Sequence, residues 1–317
     1  MSQHPPNSSV SHLRIPDDRA GQRLDNFLMS QLKGVPRSRI YRIIRSGEVR
    51  VNKKRARQTY RLEAGDQVRV PPVRTAERSQ APVSRELGER LADSLLYQDD
   101  ELLIYNKPAG LAVHGGSGIQ VGLIETLRSL YPDTTGLELA HRLDRDTSGC
   151  IMVTRERPFL RRLQKLMNQG GVTKRYWLLC HDFPATDTSV EASLEKGGRG
   201  GERIMHVAED GKSARTDFRL LERFESLALV EATLVTGRTH QIRVHAQHGG
   251  FPLLGDPKYG DAERDRPWQQ AGVRRLCLHA RSLAFRHPDH GGFLQVEAPL
   301  DEAMNRALEL AREAAAT

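Results

Sequence analysis

Between residues 140 and 150 the chain reads AHRLDRDTSGC, placing one histidine, two arginines and two aspartates ahead of the apolar run Ile151, Met152 and Val153. So much opposite charge at the mouth of a buried strand is either a solvated turn or an active site. In an extended segment entering a tight turn, Arg142 and Asp144 share one side of the chain while Leu143 points to the other, so both polar groups can face one pocket. Asp146, Thr147, Ser148 and Gly149 have the composition of an Asx-type turn, which gives Asp146 a structural job in bonding its own backbone. Asp144 has no such job, and its bland alternative is an ion pair with Arg142 or Arg145.

Three chemistries are weaker fits. HRLD is a scramble of the kinase HRDL loop, but no Gly-rich ATP loop, VAIK lysine or DFG accompanies it. Asp144 and Asp146, two residues apart in one turn, are poorly placed to flank a sugar from opposite faces as a glycosidase pair. The scattered histidines form no HExxH, and the turn offers too few ligands for a metal. A second informative stretch, TGRTHQIRVHAQHGGFPLLGDPKYG, reads as a short helix capped by Thr239 and ended by Gly249 and Gly250. It presents Arg238, His240, Arg243 and His245 around Ile242 and Val244. His240 and His245, five apart, suit structural hydrogen bonds better than a shared metal.

These residues need a scaffold. ELLIYNKPAGLAVHGG reads as strand, turn and strand, IETLRSLYP as a short helix, and CIMVT as the strand that follows the charged turn. RPFLRRLQKLMNQ is a helix with Phe159, Leu160, Leu163, Leu166 and Met167 inward. KRYWLLC, TDFRLLERF and LALVEATLV read as strands, and a terminal helix is capped by Asp301. The result is a mixed, strand-rich domain without the regular βαβ spacing or GxGxxG of a dinucleotide fold. GGRGGER at 197–203 lacks the GK[ST] ending of a P-loop and reads as a loop.

Ahead of it lies a smaller module. Leu24, Phe27, Leu28 and Leu32 share one helical face, and Ile40, Ile43 and Ile44 another, with Ser38 a possible cap and Gly47 a stop. EVRVN is a strand, KKRAR a basic turn, and AGDQVRV a further strand ended by Pro71 and Pro72. Residues 1–15 read as a disordered tail, 16–72 as this module, 73–90 as a polar linker and 91–317 as the larger domain.

The 317 residues carry a formal charge of +8, and between Lys33 and Arg61 eleven Lys or Arg residues face a single acid, Glu48. Arg37, Arg39, Arg42 and Arg45 line the second helix, while Lys53, Lys54, Arg55 and Arg57 crowd the turn after it. Two adjacent clusters so poor in acids suit a nucleic-acid backbone better than a solvated face. The polar, proline-rich start is no signal peptide and no apolar run approaches membrane-spanning length, so the cytoplasm is the expected location. Cys150, Cys180 and Cys277 lie far apart beside apolar neighbours and read as buried thiols.

The small module, with RLDNFL, SRIYRIIRSGEVRVN and LEAGDQVRV, resembles the S4 RNA-binding domain. AHRLDRDTSG, KRYW, TGRTHQIRVHAQHGGFPLLGD and CLHA together resemble the RluA-type pseudouridine synthases. NKPAGLAVHGGSG behind an S4 domain resembles their RluC branch, which modifies large-subunit ribosomal RNA. The resemblance spans about residues 13–300. It implies an α+β architecture: a mixed, mostly antiparallel sheet in the catalytic domain, with a small α/β S4 domain in front. It implies Asp144 as the catalytic aspartate, Arg243 as its basic partner ahead of Arg238, and Tyr176 as the active-site aromatic. Arg142 becomes the residue that fills the space of an extruded base. No metal or cofactor is implied, and the expected partner of this monomer is 23S rRNA or a large-subunit assembly intermediate. Lys107 and His114 receive no role. The rival readings are a sister branch acting on another rRNA helix or tRNA, and a non-catalytic RNA-binding factor that keeps the fold.

Overall fold

A computed structural model describes residues 9–32, 34–73, 83–115, 121–197 and 204–315. The chain divides into two compact units, Met1–Ala81 and Pro82–Thr317.

In the first unit the helices Leu24–Gln31 and Arg37–Arg45 bury the apolar faces read from the sequence. They pack on a four-stranded antiparallel sheet in the order Ser11–Arg14, Gln67–Val70, Arg50–Val51, Lys54–Arg55. The sheet's inward residues Val51, Val68 and Val70 meet Ile40, Ile43 and Ile44 in one core. Gly47, at φ 78°, ends the second helix as expected. Three expectations need correction. Ser11–Arg14 is a paired strand and Ile15 is buried, so the tail does not extend to residue 15. Four residues, three of them polar, are too short for period-two alternation to stand out. Ser38 is not the cap, because Pro36 takes that place and starts the helix one residue ahead of it. The KKRAR turn is narrower than expected: Asn52 and Lys53 turn, and Lys54–Arg55 already pairs with Arg50–Val51.

The second unit is built on a ten-stranded sheet. From one edge its order is Thr188–Glu191, Arg215–Arg223, Ala228–Leu234, Val172–Cys180, Leu278–Arg286, Ser148–Thr154, Leu102–Lys107 and Leu95–Gln98. Phe293–Glu297 and Glu138–Leu139 pair alongside. Every pairing is antiparallel except that of Leu278–Arg286 with Ser148–Thr154, which agrees with the expected mixed, mostly antiparallel α+β architecture. Ser148–Thr154 is buried along its whole length, as the apolar run required. The helix Arg157–Asn168 buries Phe159 and Leu163, and Asp301 accepts the Met304 N–H at the start of Glu302–Ala315. All three cysteines are free and buried.

The linker read at 73–90 is also too long, because Ser84 caps a helix, Arg85–Ala92, whose Leu91 is fully buried. Its apolar face is only two residues, Leu87 and Leu91, four positions apart. The strand expected after the NKPAG turn does not form over Leu111–Val113. Lys33, residues 1–8 and 74–82, and most of the 197–203 loop lie outside the described residues. Among the described residues no helix is long and apolar enough to cross a membrane.

Candidate active site

The charged turn sits where the central strand begins, and three ties hold it. Gly149, at φ 107°, lies against the backbone of Ala280, where a Cβ would collide with the carbonyl oxygen. Arg275 donates to the Asp146 carbonyl at 3.3 Å and to Ser148 Oγ at 3.1 Å. Fully buried Lys107 donates to the carbonyls of Pro108, Leu111 and Arg145 at 2.8–2.9 Å. Burial pushes the Lys107 pKa down to about 7, against the pull of Asp146 and Asp144. Lys107 therefore links the NKPAG turn to the charged turn, a role for which its sequence gave no signal. His114 is exposed and stands apart from this network.

Arg142 and Asp144 line one cavity of about 280 Å³, as the alternation required. The Asp144 side chain is 17% exposed and accepts a bond from Arg243 Nη1 at 3.2 Å. Neither Arg142 nor Arg145 is its partner. Arg145 pairs instead with Asp146, through bonds of 2.9 and 3.2 Å, so Asp146 holds its neighbour's guanidinium rather than closing an Asx turn. Arg142 is exposed at the cavity, and its side chain makes no hydrogen bond or ion pair among the described residues.

Arg243 is itself fixed. It lies on the helix Gln241–His248, and its Nε and Nη2 each meet a carboxylate oxygen of Asp256 at 2.7 Å. Asp256 has no exposed side-chain surface and also accepts the backbone N–H groups of Lys258 and Tyr259. Burial works against the Arg243 charge, but the bonds and charge of Asp256 and then Asp144 outweigh it, and its pKa stays above the ordinary guanidinium value. The bidentate fork sets the plane of the guanidinium. Its remaining nitrogen is thereby aimed at Asp144. Arg238 donates to the Ser213 carbonyl at 3.2 Å and does not reach Asp144.

Tyr176, on Val172–Cys180, is 7% exposed and forms part of the cavity wall. Its hydroxyl makes no hydrogen bond among the described residues. Burial first, and then the Asp144 charge, push its pKa up, so it is a neutral phenol at physiological pH. Lys174, two residues earlier and on the same face, also lines the cavity, and burial lowers its pKa. His141 Nε2 accepts the Met152 N–H at 3.1 Å, and burial together with the Lys174 charge holds its pKa down to about 3.

Thr239 is not the helix cap. His240 takes that position at φ 54°, a left-handed conformation uncommon outside glycine. It bonds Tyr259 through Nδ1 at 2.8 Å, and its Nε2 stands 3.7 Å from Asp144 Oδ2, so its place is beside the Asp144 carboxylate. His245 does have the structural role expected, between Thr216 Oγ1 and the Ala192 carbonyl at 3.0 Å each. Asp256, Tyr259 and Lys174 were missed by sequence reasoning. The GDPKYG end of the second stretch was the available signal for the first two.

One group among the described residues, Asp99, His287 and His290, brings possible metal ligands within 4.8 Å of one another. The two imidazoles stack in parallel at 3.8 Å. One ion cannot lie in both ring planes, so the group as it stands is no metal centre.

In the first unit Arg37, Arg42, Arg45, Lys53, Lys54, Arg55 and Arg57 are exposed and Arg39 is half-buried. Arg37 lies against Tyr41, and Arg55 donates to the Ser46 carbonyl at 3.0 Å. The others make no ion pair among the described residues, which leaves their charge available to a polyanion.

Residues 101–248 match the family model described as RNA pseudouridylate synthase, and residues 22–68 match that of the S4 domain. Ribosomal large subunit pseudouridine synthase C of Escherichia coli (strain K12) is 51% identical over 312 residues, 96% of this chain and 98% of that protein. The protein of that name from Haemophilus influenzae is 48% identical over 311 residues, 97% of each. The solved structure of human RNA Pseudouridylate Synthase Domain Containing 4 is similar with a TM-score of 0.59 and 27% identity, over 72% of this chain and 96% of that one.

Proposed function

The chain belongs to the RNA pseudouridylate synthases and carries an S4 domain in front of its catalytic unit, and from that premise we propose that it isomerises uridines of large-subunit (23S) ribosomal RNA to pseudouridine. The observation that carries the reading is the Asp144 carboxylate, held at the cavity by an Arg243 that a buried Asp256 locks in place.

The reaction breaks the bond from uracil N1 to ribose C1′, turns the freed base and joins C5 to C1′. The C5 proton leaves to solvent and N1 takes one up, so the product is an isomer and the step is redox-neutral. A glycosidic bond stacked in folded RNA is out of reach, so the uridine must first be extruded, at a cost of a few kcal/mol. Exposed Arg142 enters the gap and offsets part of that cost. The extruded base enters the cavity and stacks on Tyr176. Asp144 then acts on the ribose, by attack at C1′ or by removing a ribose proton on the glycal route. Arg243 holds the carboxylate oriented, and a group already fixed beside a cation needs no rearrangement at the moment of reaction. Tyr176, a neutral phenol, offers a hydroxyl proton to the rotating base. The arginines of Arg37–Arg45 and the lysines that follow contact RNA phosphates. The chemistry calls for no cofactor, and the substrate is rRNA, free or in an assembling large subunit, met in the cytoplasm by a monomer.

The test is to map pseudouridines in 23S rRNA from a strain lacking the gene, complemented with wild type or with Asp144→Ala. Sites restored by wild type and not by the variant are expected. Full restoration by Asp144→Ala would leave an RNA-binding factor in place of an enzyme.

A further inference from the structure

The outward face of the small sheet carries a row of three arginines and a histidine that the helices do not share. In register across the four strands, His12 stands opposite Arg69, Arg69 opposite Arg50, and Arg50 opposite Arg55. Residues paired in this way point to the same side, and like charges directly opposite destabilise a sheet. The inward side of the same strands holds Val51, Val68 and Val70 in the core with the two helices. The row is therefore on the face turned away from those helices.

Nothing acidic relieves it. Arg50 donates to the Gly47 carbonyl, Arg69 to that of Glu48 and Arg55 to that of Ser46. These bonds hold the guanidinium groups in place without neutralising them, and no member of the row makes an ion pair among the described residues. Lys53 joins them at the hairpin tip with φ 66°, where glycine is the favoured residue. Together Arg50, Arg69, Lys53, His12 and Gln67 line a shallow concavity of about 410 Å³ with no carboxylate in its wall. His12 lies ahead of the segment that matches the S4 domain, so the added first strand completes the row.

We propose that this row is a second RNA-binding face, which takes a run of phosphodiester backbone across the sheet while the Arg37–Arg45 helix meets a different stretch of RNA. With strands about 4.8 Å apart, three strands present arginines over about 10 Å, with His12 beside them on the fourth, enough for more than one phosphate. Arginine suits this partner because its planar fork binds phosphate oxygens in pairs. The proposal rests on the reading that this chain works on ribosomal RNA.

The test measures binding of the full chain to a 23S rRNA transcript between about 50 and 200 mM salt. Arg50→Gln/Arg69→Gln is compared with Arg42→Gln/Arg45→Gln and with the quadruple variant. Each lost phosphate contact flattens the log–log salt slope by about 0.7 to 0.9. Both double variants should therefore flatten it by roughly 1.5, and the quadruple variant by the sum. His12→Glu, which removes no hydrogen bond among the described residues, serves if the sheet arginines prove necessary for folding, and it should weaken binding. A wild-type slope in Arg50→Gln/Arg69→Gln, or wild-type affinity in His12→Glu, would overturn the second face. Failure of the enzymatic reading would show separately, as no pseudouridine formed by the wild-type protein.

Discussion

Asp256→Asn keeps the shape of a buried side chain and removes its charge. In the wild type Asp256 meets Arg243 through two bonds of 2.7 Å and has no exposed side-chain surface. Breaking a buried pair by removing one partner costs about 3 to 5 kcal/mol, because the other charge stays buried. Asparagine still has an oxygen for the backbone N–H groups of Lys258 and Tyr259, and Arg243 keeps Asp144 at 3.2 Å. The loss therefore lies at the low end, about 3 kcal/mol, which for a domain of this size lowers the melting temperature by about 6 to 12 °C. The guanidinium also loses the fork that sets its plane, and a misplacement of about 1 Å costs roughly 100-fold in kcat. Asp144→Asn should behave in the opposite way. Its side chain is partly exposed and Arg243 keeps Asp256, so the melting temperature should move by less than about 4 °C, for a loss under about 1 kcal/mol, while turnover is abolished. Thermal melts by circular dichroism and single-turnover assays on an rRNA transcript measure both quantities. An Asp256→Asn protein with wild-type melting and turnover, or an Asp144→Asn protein less stable than Asp256→Asn, would refute the assignment of Asp256 as the group that locks Arg243.

Tyr176→Phe retains the stacking surface and loses the hydroxyl proton; kcat should fall by about 10²- to 10⁴-fold with KM little changed, and an equal loss in KM alone would point to binding. His141 is neutral when folded, with a pKa pushed down to about 3, while the unfolded chain titrates near 6.5. Its contribution is fully present above about pH 6.5 and is lost as the pH falls toward 3, at up to about 1.4 kcal/mol per pH unit. His279, pushed down to about 4 by burial, acts in the same direction. Urea melts from neutral to acid pH should show this slope, and His141→Gln should flatten it; an unchanged slope would contradict a buried neutral imidazole. Gly149→Ala puts a Cβ against the Ala280 backbone at φ 107°, so a large loss of melting temperature or of soluble protein is expected, and a wild-type melt would show that the strand start can shift.

How far the sequence could be read followed the range of the interactions. The helices over Leu24, Phe27 and Leu28 and over Ile40, Ile43 and Ile44 were visible because one periodic face decides them. The buried strand after the charged turn was visible for the same reason. The strand Ser11–Arg14 was not, since its identity depends on pairing with Gln67–Val70 more than fifty residues away. The helix Arg85–Ala92 was hidden by its polar composition, and its signals were the Ser84 cap and the pair Leu87 and Leu91. At the site, Asp144 and Arg142 stood out by alternation within one segment. The Asp144–Arg243 contact joins residues 99 positions apart, and only the family resemblance pointed to it. Asp256 escaped notice because an aspartate between glycine and proline reads as a turn residue, and its pairing depends on how that turn folds back on the helix Gln241–His248.

The most direct test uses a 23S transcript tritiated at uridine C5, incubated with wild type or Asp144→Ala without added metal or nucleotide. Joining C5 to the ribose must expel the label, so wild type should release tritium to water and the variant none. No release by wild type, on naked transcript and on immature large subunits alike, would contradict the isomerisation, and equal release by the variant would contradict the role given to Asp144.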